Sequence, residues 1–474
     1  MKKIIIVYSL FFVIVSSQAQ QIQWASKVIK FSSDLGGKQN GIKRILGKPD
    51  SFPQGGSSPN AWVPKNALDG REVIELGFDK PQMVKQVAVF ENLNAGCVVK
   101  ISVDNGSGKY ETVWTRRADY KTPKYKTTLT TDRSYYFKRK RRKIQEAPDV
   151  INPGIEYAIL DNVVSNVVAV KVEFNFAVFP GQKQIDAIGI SDSEVPIEAN
   201  INTKSIFENL PNPETILIGD LQPQSPVVSQ NGNTLYFTND ASDKEEIYSC
   251  SKTTEGKWGQ PILENSLNES EGYNYLEFAG ADFILRGGGL YSKGTNDSGF
   301  TILNNTNGKY ENSGQLKIAA YNNYDDNADA TISYDKKTLI LGIETDFSQG
   351  GMDLYFANRK DDGTYSLLQN MGKIINSAAD ESSPQLLSDN KTLLFSSLGF
   401  SSFGNYDIYV SYRLDDTWKK WSEPVNLGNK INGNDYEGSP FYDEITETLY
   451  FIRSNEGKSS ITTVKIPKED LMKN

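Results

Sequence analysis

The sequence predicts an all-β chain, a β-sandwich followed by a β-propeller, and three observations carry that expectation. First, a phrase recurs: Asp380-Glu381-Ser382-Ser383-Pro384 is answered at Asp435-Tyr436-Glu437-Gly438-Ser439-Pro440, with the Ser-Pro pair returning 56 residues later. Second, the intervening chain carries short apolar runs, Thr392-Leu393-Leu394-Phe395 and Tyr406-Asp407-Ile408-Tyr409, separated by polar and glycine turns, the pattern of hairpins. Third, 24 Tyr, 22 Phe and 38 Gly among 474 residues suit many half-buried strands joined by tight turns. A chain of this length exceeds one ordinary core, so at least two domains are expected.

Composition also excludes chemistry. The chain contains no histidine. Ser-His-Asp and Cys-His catalysis, His-ligated zinc and histidine phosphotransfer all need an imidazole, so none operates here. A formal net charge of -8 gives no reason to expect nucleic acid as a partner.

Taken in order, residues 1–19 have the pattern of an export signal. Lys2 and Lys3 precede the apolar run Ile4 to Val15, and Ser17-Gln18-Ala19 offers small residues at the cleavage positions. About twelve apolar residues are too few to cross roughly 30 Å of hydrocarbon, so no membrane span is expected once the signal is removed. Cys97 and Cys250 are expected to fall in different domains as isolated buried thiols.

Residues 21–196 form the first domain. Its strand candidates are Val73 to Phe78, Val84 to Val89, Val98 to Val103, Val167 to Phe174 and Ile185 to Ile190. The order of Asp69-Gly70, Glu75-Leu76-Gly77, Ile101-Ser102-Val103-Asp104 and the closing Ile185 to Ile190 strand resembles the discoidin, or coagulation-factor type C, family over about residues 58–192. That resemblance implies a galactose-binding-like jelly roll, non-catalytic, with end loops that meet glycans or other surface ligands. Trp62 falls in the matching region and is a binding candidate, although buried aromatics dominate such cores. The family pattern is interrupted by an insertion at 115–157, which holds Lys138-Arg139-Lys140-Arg141-Arg142-Lys143 beside Tyr135-Tyr136-Phe137. Six adjacent cations repel one another, so the run is either a solvated hairpin or a contact for an anionic lipid, glycan or protein.

Residues 197–224 are a proline-bearing linker whose segment from Ile216 to Leu221 has the form of a blade-closing strand. The propeller itself is expected over 225–467, with a tail at 468–474. Blade openings stand at Ser225-Pro226, near Glu271-Gly272, at Ala328-Asp329-Ala330, at Ser383-Pro384 and at Ser439-Pro440. Third strands are expected at Glu246 to Ser249, Gly289 to Ser292, Met352 to Tyr355, Tyr406 to Tyr409 and Ser460 to Thr463. Five units spaced by about 45 to 57 residues, each with room for four strands, give five blades. Six would follow if the region from Gly287 to Tyr324 hides another unit.

The repeat wording Asp380-Glu381-x-x-Pro384, Lys391-Thr392-Leu393-x-Phe395-Ser396-Ser397, Tyr406-Asp407-Ile408-Tyr409 and Trp421-x-x-Pro424-x-Asn426-Leu427-Gly428 resembles the WD40-like, TolB-type propeller family. Behind a jelly-roll-like domain it also resembles exported Gram-negative envelope proteins that carry an OmpA-like C-terminal domain, which is lacking before Asn474. That resemblance implies a location in the periplasm or at the outer membrane, an envelope protein or surface glycan as partner, and an association with type IX secretion or gliding machinery.

Asp353 and Asp407 stand at equivalent hairpin positions, where an Asp accepts backbone N–H groups. Trp258 and Trp421 are expected between blades, and Pro226, Pro384 and Pro440 mark the repeat. The pairs Asp380/Glu381 and Asp435/Glu437 face the channel or one rim, and their recurrence favours architecture. The alternative is a carbohydrate-active hydrolase recruiting carboxylates such as Asp325, Asp326, Asp329 and Glu344, because glycosidases need no histidine. The propeller's arginines, Arg286, Arg359, Arg413 and Arg453, are few for a sialidase clamp. No cofactor or metal is expected; structural calcium is left open, without a specific motif.

Overall fold

Two long strands organise the first part of the chain. The computed structural model describes residues 20–127, 152–216, 219–240, 244–292, 294–306, 309–455 and 457–472. The export signal and the basic run Lys138 to Lys143 therefore lie outside the described residues. In order come β1 (Ile22–Trp24), β2 (Lys27–Phe31), β3 (Arg71–Glu91), β4 (Val98–Asp104), β5 (Tyr110–Thr115), β6 (Gly154–Asn175) and β7 (Ala187–Ser191). β3 and β6 pair antiparallel from Arg71↔Asn175 to Glu91↔Gly154, with register breaks between Gly77 and Gln86. On one side of the break, β3 meets β2 while β6 meets β4 and then β5. On the other, β3 meets β7 and then β1.

The break bends one sheet into two layers. Ile74 and Leu76 from the first half of β3 share a single buried core with Val87 and Val89 from its second half and Ile188 and Ile190 of β7. Alternation makes this packing possible, since residues of one parity line one face of a strand. The Asp79-Lys80-Pro81 stretch falls at the bend, where Pro81 lacks the N–H that a regular ladder would use.

Five four-stranded antiparallel sheets follow. The strand β8 (Glu214–Ile216) precedes the first of them. Blade 1 holds β9 (Pro223–Val228), β10 (Thr234–Asn239), β11 (Glu246–Ser251) and β12 (Ile262–Leu263). Blade 2 holds β13 (Tyr275–Ala279), β14 (Phe283–Gly287), β15 (Asp297–Thr306) and β16 (Lys309–Lys317). Blade 3 runs through β17 (Asp329–Ile332), β18 (Thr338–Ile343), β19 (Asp353–Asn358) and β20 (Gln369–Asn370). Blade 4 runs through β21 (Glu381–Leu386), β22 (Thr392–Ser397), β23 (Asp407–Tyr412) and β24 (Val425–Asn426). Blade 5 is β25 (Tyr436–Asp443), β26 (Thr448–Asn455) and β27 (Lys458–Lys465), completed by β8 from before blade 1.

This closure removes the open edge, pairing Ile461↔Ile216 and Thr463↔Glu214. The closing strand lies slightly earlier in the chain than the sequence pattern suggested. Five blades account for the region from Gly287 to Tyr324 without a sixth. There the third strand is β15, not Gly289 to Ser292: Gly289 instead donates its N–H to Gly299 O at 2.9 Å.

The apolar cores lie between blades. One joins blades 2 and 3 through Leu285, Phe300, Ile332 and Leu341, the next joins blades 3 and 4 through Leu354, Phe356, Leu393 and Trp421, and another joins blades 4 and 5. Blade 1 is held between blades 5 and 2 in a core that includes Leu235, Ile452 and Leu276. Trp418 stacks on Phe356 across the blade 3–4 seam, and Trp258 meets Tyr450 edge-on across the blade 1–5 seam.

The Ser-Pro openings are kinks in the innermost strands. Ser225, Ser383 and Ser439 have φ of 45°, 49° and 48°, and the ladders shift register beside them. A left-handed residue at a bulge bends the strand, and the following proline needs no ladder partner. Pro226, Pro384 and Pro440 therefore come to line the axis.

The first domain rests on the propeller through its 38–62 segment. Asn60 donates to Gly399 O at 2.8 Å and accepts Ala378 N–H at 2.7 Å. Gln54 reaches Phe400 O and Ser402 N, Arg44 reaches Gln349 O at 2.9 Å, and Lys38 reaches Asp346 O.

Candidate functional site

The carboxylates that recur with the blade are bound into its framework. Asp353 and Asp407, at the starts of β19 and β23, are both fully buried. Each accepts the backbone N–H four residues upstream, Gln349 at 2.6 Å and Phe403 at 2.8 Å. The same oxygen accepts the side-chain amide of an asparagine on the outer strand, Asn370 at 2.6 Å and Asn426 at 2.7 Å. Those asparagines in turn accept from Asn376 and Asn432, which bracket the backbone of Leu354 and Ile408 with one acceptor and one donor. Asn268 brackets Ile247 the same way in blade 1.

The blade-opening glutamates are held similarly. Glu381 accepts from Ser377 N, Ser377 Oγ and Ser397 Oγ, and Glu437 accepts Gly433 N at 2.7 Å and Arg453 Nε at 3.0 Å. Burial pushes Glu381 well above the usual carboxylate range, and the nearby Asp353 adds to it.

A second group of acids sits around the axis. Asp329, at the start of β17, accepts Ser383 N–H from blade 4 at 3.0 Å. Burial, with a smaller contribution from Asp325, pushes Asp329 up to about 6 against that hydrogen bond. Glu277, at the bulge of β13, takes a hydrogen bond from the backbone of Ala330 and is held well above its ordinary range by burial and then by Asp329. Its second oxygen, Oε1, is buried without a partner. Asp380 accepts Met352 N–H at 3.0 Å and Tyr406 Oη at 3.3 Å, and burial raises it too. Tyr406 packs edge-on against Tyr436.

Of the carboxylates named as hydrolase candidates, Asp325 and Asp329 share this axial region, and Glu344 feels both Asp325 and Asp380. Asp326 is exposed. The arginines do not converge: Arg286 is buried against Leu267 O and Glu269, Arg413 lies over Trp418, Arg453 serves Glu437, and Arg359 follows β19 in blade 3 with its N–H on Lys337 O. Among the described residues no three acidic or cysteine side chains are grouped to hold a metal.

Trp62 has no surface to offer a ligand. It is fully buried, packs against Phe174 and Phe176, and donates Nε1–H to Ser33 O at 3.1 Å. Trp421 is buried with Nε1–H on Trp418 O, and half-buried Trp258 has Lys252 over its ring. The sequence pattern alone gives Glu277 and the bracketing asparagines no role. The asparagines were visible in the Asn-Leu-Gly-x-x-Ile-Asn spacing, whereas Glu277 stands where blades 1, 4 and 5 have Ser-Pro.

No protein-family model and no curated protein matches the chain. Among solved structures, TolB from Acinetobacter baumannii aligns at 10% identity over 52% of this chain and 54% of its own, with a TM-score of 0.32. The chain thus spans about half of TolB. An endo-arabinase from Bacteroides thetaiotaomicron aligns at 15% identity, covering 53% of this chain and 96% of its own, with a TM-score of 0.37. An alpha-L-arabinofuranosidase from Lactobacillus brevis aligns at 13% identity over 51% and 90%, with a TM-score of 0.33. The five-bladed ring is established by its own strand pairing.

Proposed function

We propose that this chain is a non-catalytic, exported envelope protein that binds a partner protein or surface glycan, with the propeller as the recognition platform. The observation that carries this reading is the commitment of its recurrent carboxylates. Asp329, Asp353, Asp380, Asp407, Glu381 and Glu437 each accept at least one backbone N–H, so their oxygens hold loops and neighbouring blades in place. The 38–62 segment of the first domain is occupied by the propeller, which leaves recognition to the uncovered rim. The sequence resemblances add a location in the periplasm or at the outer membrane, a galactose-binding-like first domain, and service to a type IX secretion or gliding apparatus.

A second reading has its own support. Asp329 and Glu277 are two raised carboxyls near the axis, and tuned carboxyl groups are what glycoside hydrolysis uses. One experiment separates the readings. Mature protein is offered a panel of glycans for binding and hydrolysis, in parallel with affinity capture from envelope extracts. Saturable capture without turnover is expected. Hydrolysis that disappears in Asp329→Asn, with the fold intact, would overturn the non-catalytic role.

A further inference from the structure

One sector of the propeller rim combines exposed apolar side chains with an excess of carboxylates. In each blade the loop from the second to the third strand and the loop from the fourth strand to the next blade emerge on the same face, because the strands alternate in direction. Five such loops, 264–274, 288–296, 318–328, 344–352 and 371–380, serve blades 2 and 3 and their borders. By sequence they contain eight carboxylates against two lysines.

These loops also hold Tyr273, Leu290, Tyr324, Phe347 and Ile374, which are 56%, 68%, 46%, 77% and 50% exposed. Among the described residues, no large apolar side chain is comparably exposed in the equivalent loops of the rest of the ring. Scattered apolar residues on a surface need no explanation, but their confinement to one sector of one face does. Interfaces pair such apolar centres with complementary charge.

Where the first domain meets the edge of this rim, two cations reach backbone carbonyls, Lys38 Nζ on Asp346 O and Arg44 Nη2 on Gln349 O, beside the neutral contacts of Asn60 and Gln39 with Ala378. Lys38 also lowers the neighbouring Glu344 against the effect of burial. Beyond these contacts the arc continues, with Phe347 standing 77% exposed next to Asp346.

We propose that this arc is a docking surface for a basic polypeptide segment bearing apolar side chains. The inference rests on the binding role above and gives it a place and a chemistry. The probe is a labelled peptide of alternating lysine and phenylalanine, with a glutamate-for-lysine peptide as control. Full mature protein should bind the lysine peptide saturably, and more weakly as salt rises, because exposed charges are screened. Phe347→Ser and the double variant Asp326→Asn/Glu344→Gln should each weaken it by about tenfold or more, in line with interface anchor and charge effects. Ile445→Ser, an exposed apolar change on the opposite face, should leave binding unchanged. Thermal melts establish that each variant is folded.

Equal affinity across the variants, or equal binding of the glutamate peptide, would overturn the proposal. So would competition by a neutral glycan, or a gain in affinity on deleting residues 135–143, which would make the chain's own basic run the occupant. If an envelope protein is captured equally by wild type and by the Phe347→Ser variant, the docking surface is wrong while the binding role stands. Glycan turnover would remove both.

Discussion

Replacing Asp353 by asparagine should change stability in a pH-dependent way, because this buried carboxylate is costly when ionised. Burial pushes it up to about 6, despite bonds from Gln349 N, Asn370 Nδ2 and Gly350 N and despite the charge of Lys38. An unfolded Asp titrates near 3.9, so the folded chain holds an extra proton between the two values. Stability from this group is therefore fully present below about pH 4 and is lost as pH rises through about 6. At about 1.36 kcal/mol per unit the whole loss is about 3 kcal/mol, and about half of it falls between pH 5 and pH 8. Asparagine is nearly isosteric. With its oxygen in the place of Oδ2 it keeps the two short bonds, at 2.6 Å each, and sets its amide against the weaker 3.4 Å contact with Gly350 N. Urea unfolding followed by tryptophan fluorescence is a direct assay, since Trp418 stacks on Phe356 of the same blade as Asp353. Relative to wild type, the variant should gain on the order of 1 kcal/mol on going from pH 5 to pH 8. A difference in stability that is the same at both pH values would refute the reasoning.

Asn432→Ala strips the bracket from the buried Ile408 N–H and C=O and should cost about 2–4 kcal/mol in the same assay, with Asn432→Asp retaining one of the two bonds. Thr215→Pro should break the pairing of β8 with β27 at Thr462 and lower the midpoint of thermal unfolding, with faster proteolysis between blades 5 and 1. Trp62→Ala should destabilise the first domain by about 3–5 kcal/mol as an aromatic cavity in its core, while leaving peptide binding at the rim intact once the protein is folded.

The ring was visible in the sequence because its instructions are local and repeated. Thr-Leu-Tyr-Phe runs specify second strands, and Ser-Pro specifies a bulge that recurs with similar φ at Ser225, Ser383 and Ser439. Blade 2 was harder, since its glycine run 287–289 looks like the turn before a third strand. In the structure those glycines allow close packing instead: a Cβ on Gly287 would lie 2.1 Å from the Tyr275 ring, and one on Gly288 2.2 Å from Tyr273 O. The bent sheet of the first domain was hidden for a related reason. Val73 to Phe78 and Val84 to Val89 have the pattern of two strands, yet the chain continues through Pro81 as one strand that changes layer. The axial site was least visible, because Glu277, Asp329 and Asp380 come from successive blades and only the packing of one blade on the next brings them near one another.

That convergence explains why raised carboxyls here need not mark catalysis. For Glu277, Asp329, Asp353, Asp380 and Glu381 the dominant cause is burial, and hydrogen-bond donors oppose it in every case. A general acid must instead present its proton to a reacting group. Asp329 directs Oδ2 at the N–H of Ser383, the bulged residue of the next blade's inner strand, and Glu277 directs one oxygen at Ala330. Blade 2 thus grips blade 3, and blade 3 grips blade 4, through acids aimed along the ring. Gln385 continues the series, accepting Tyr442 N–H at 2.6 Å and donating to Tyr442 O at 3.2 Å, so blade 4 grips blade 5 with a neutral side chain performing the same task. Gln385 pairs with Leu394 as Thr331 pairs with Ile340, and Thr331 Oγ1 likewise accepts Leu386 N–H at 3.3 Å, so side chains at this inner-strand position tie one blade to the next by hydrogen bonding.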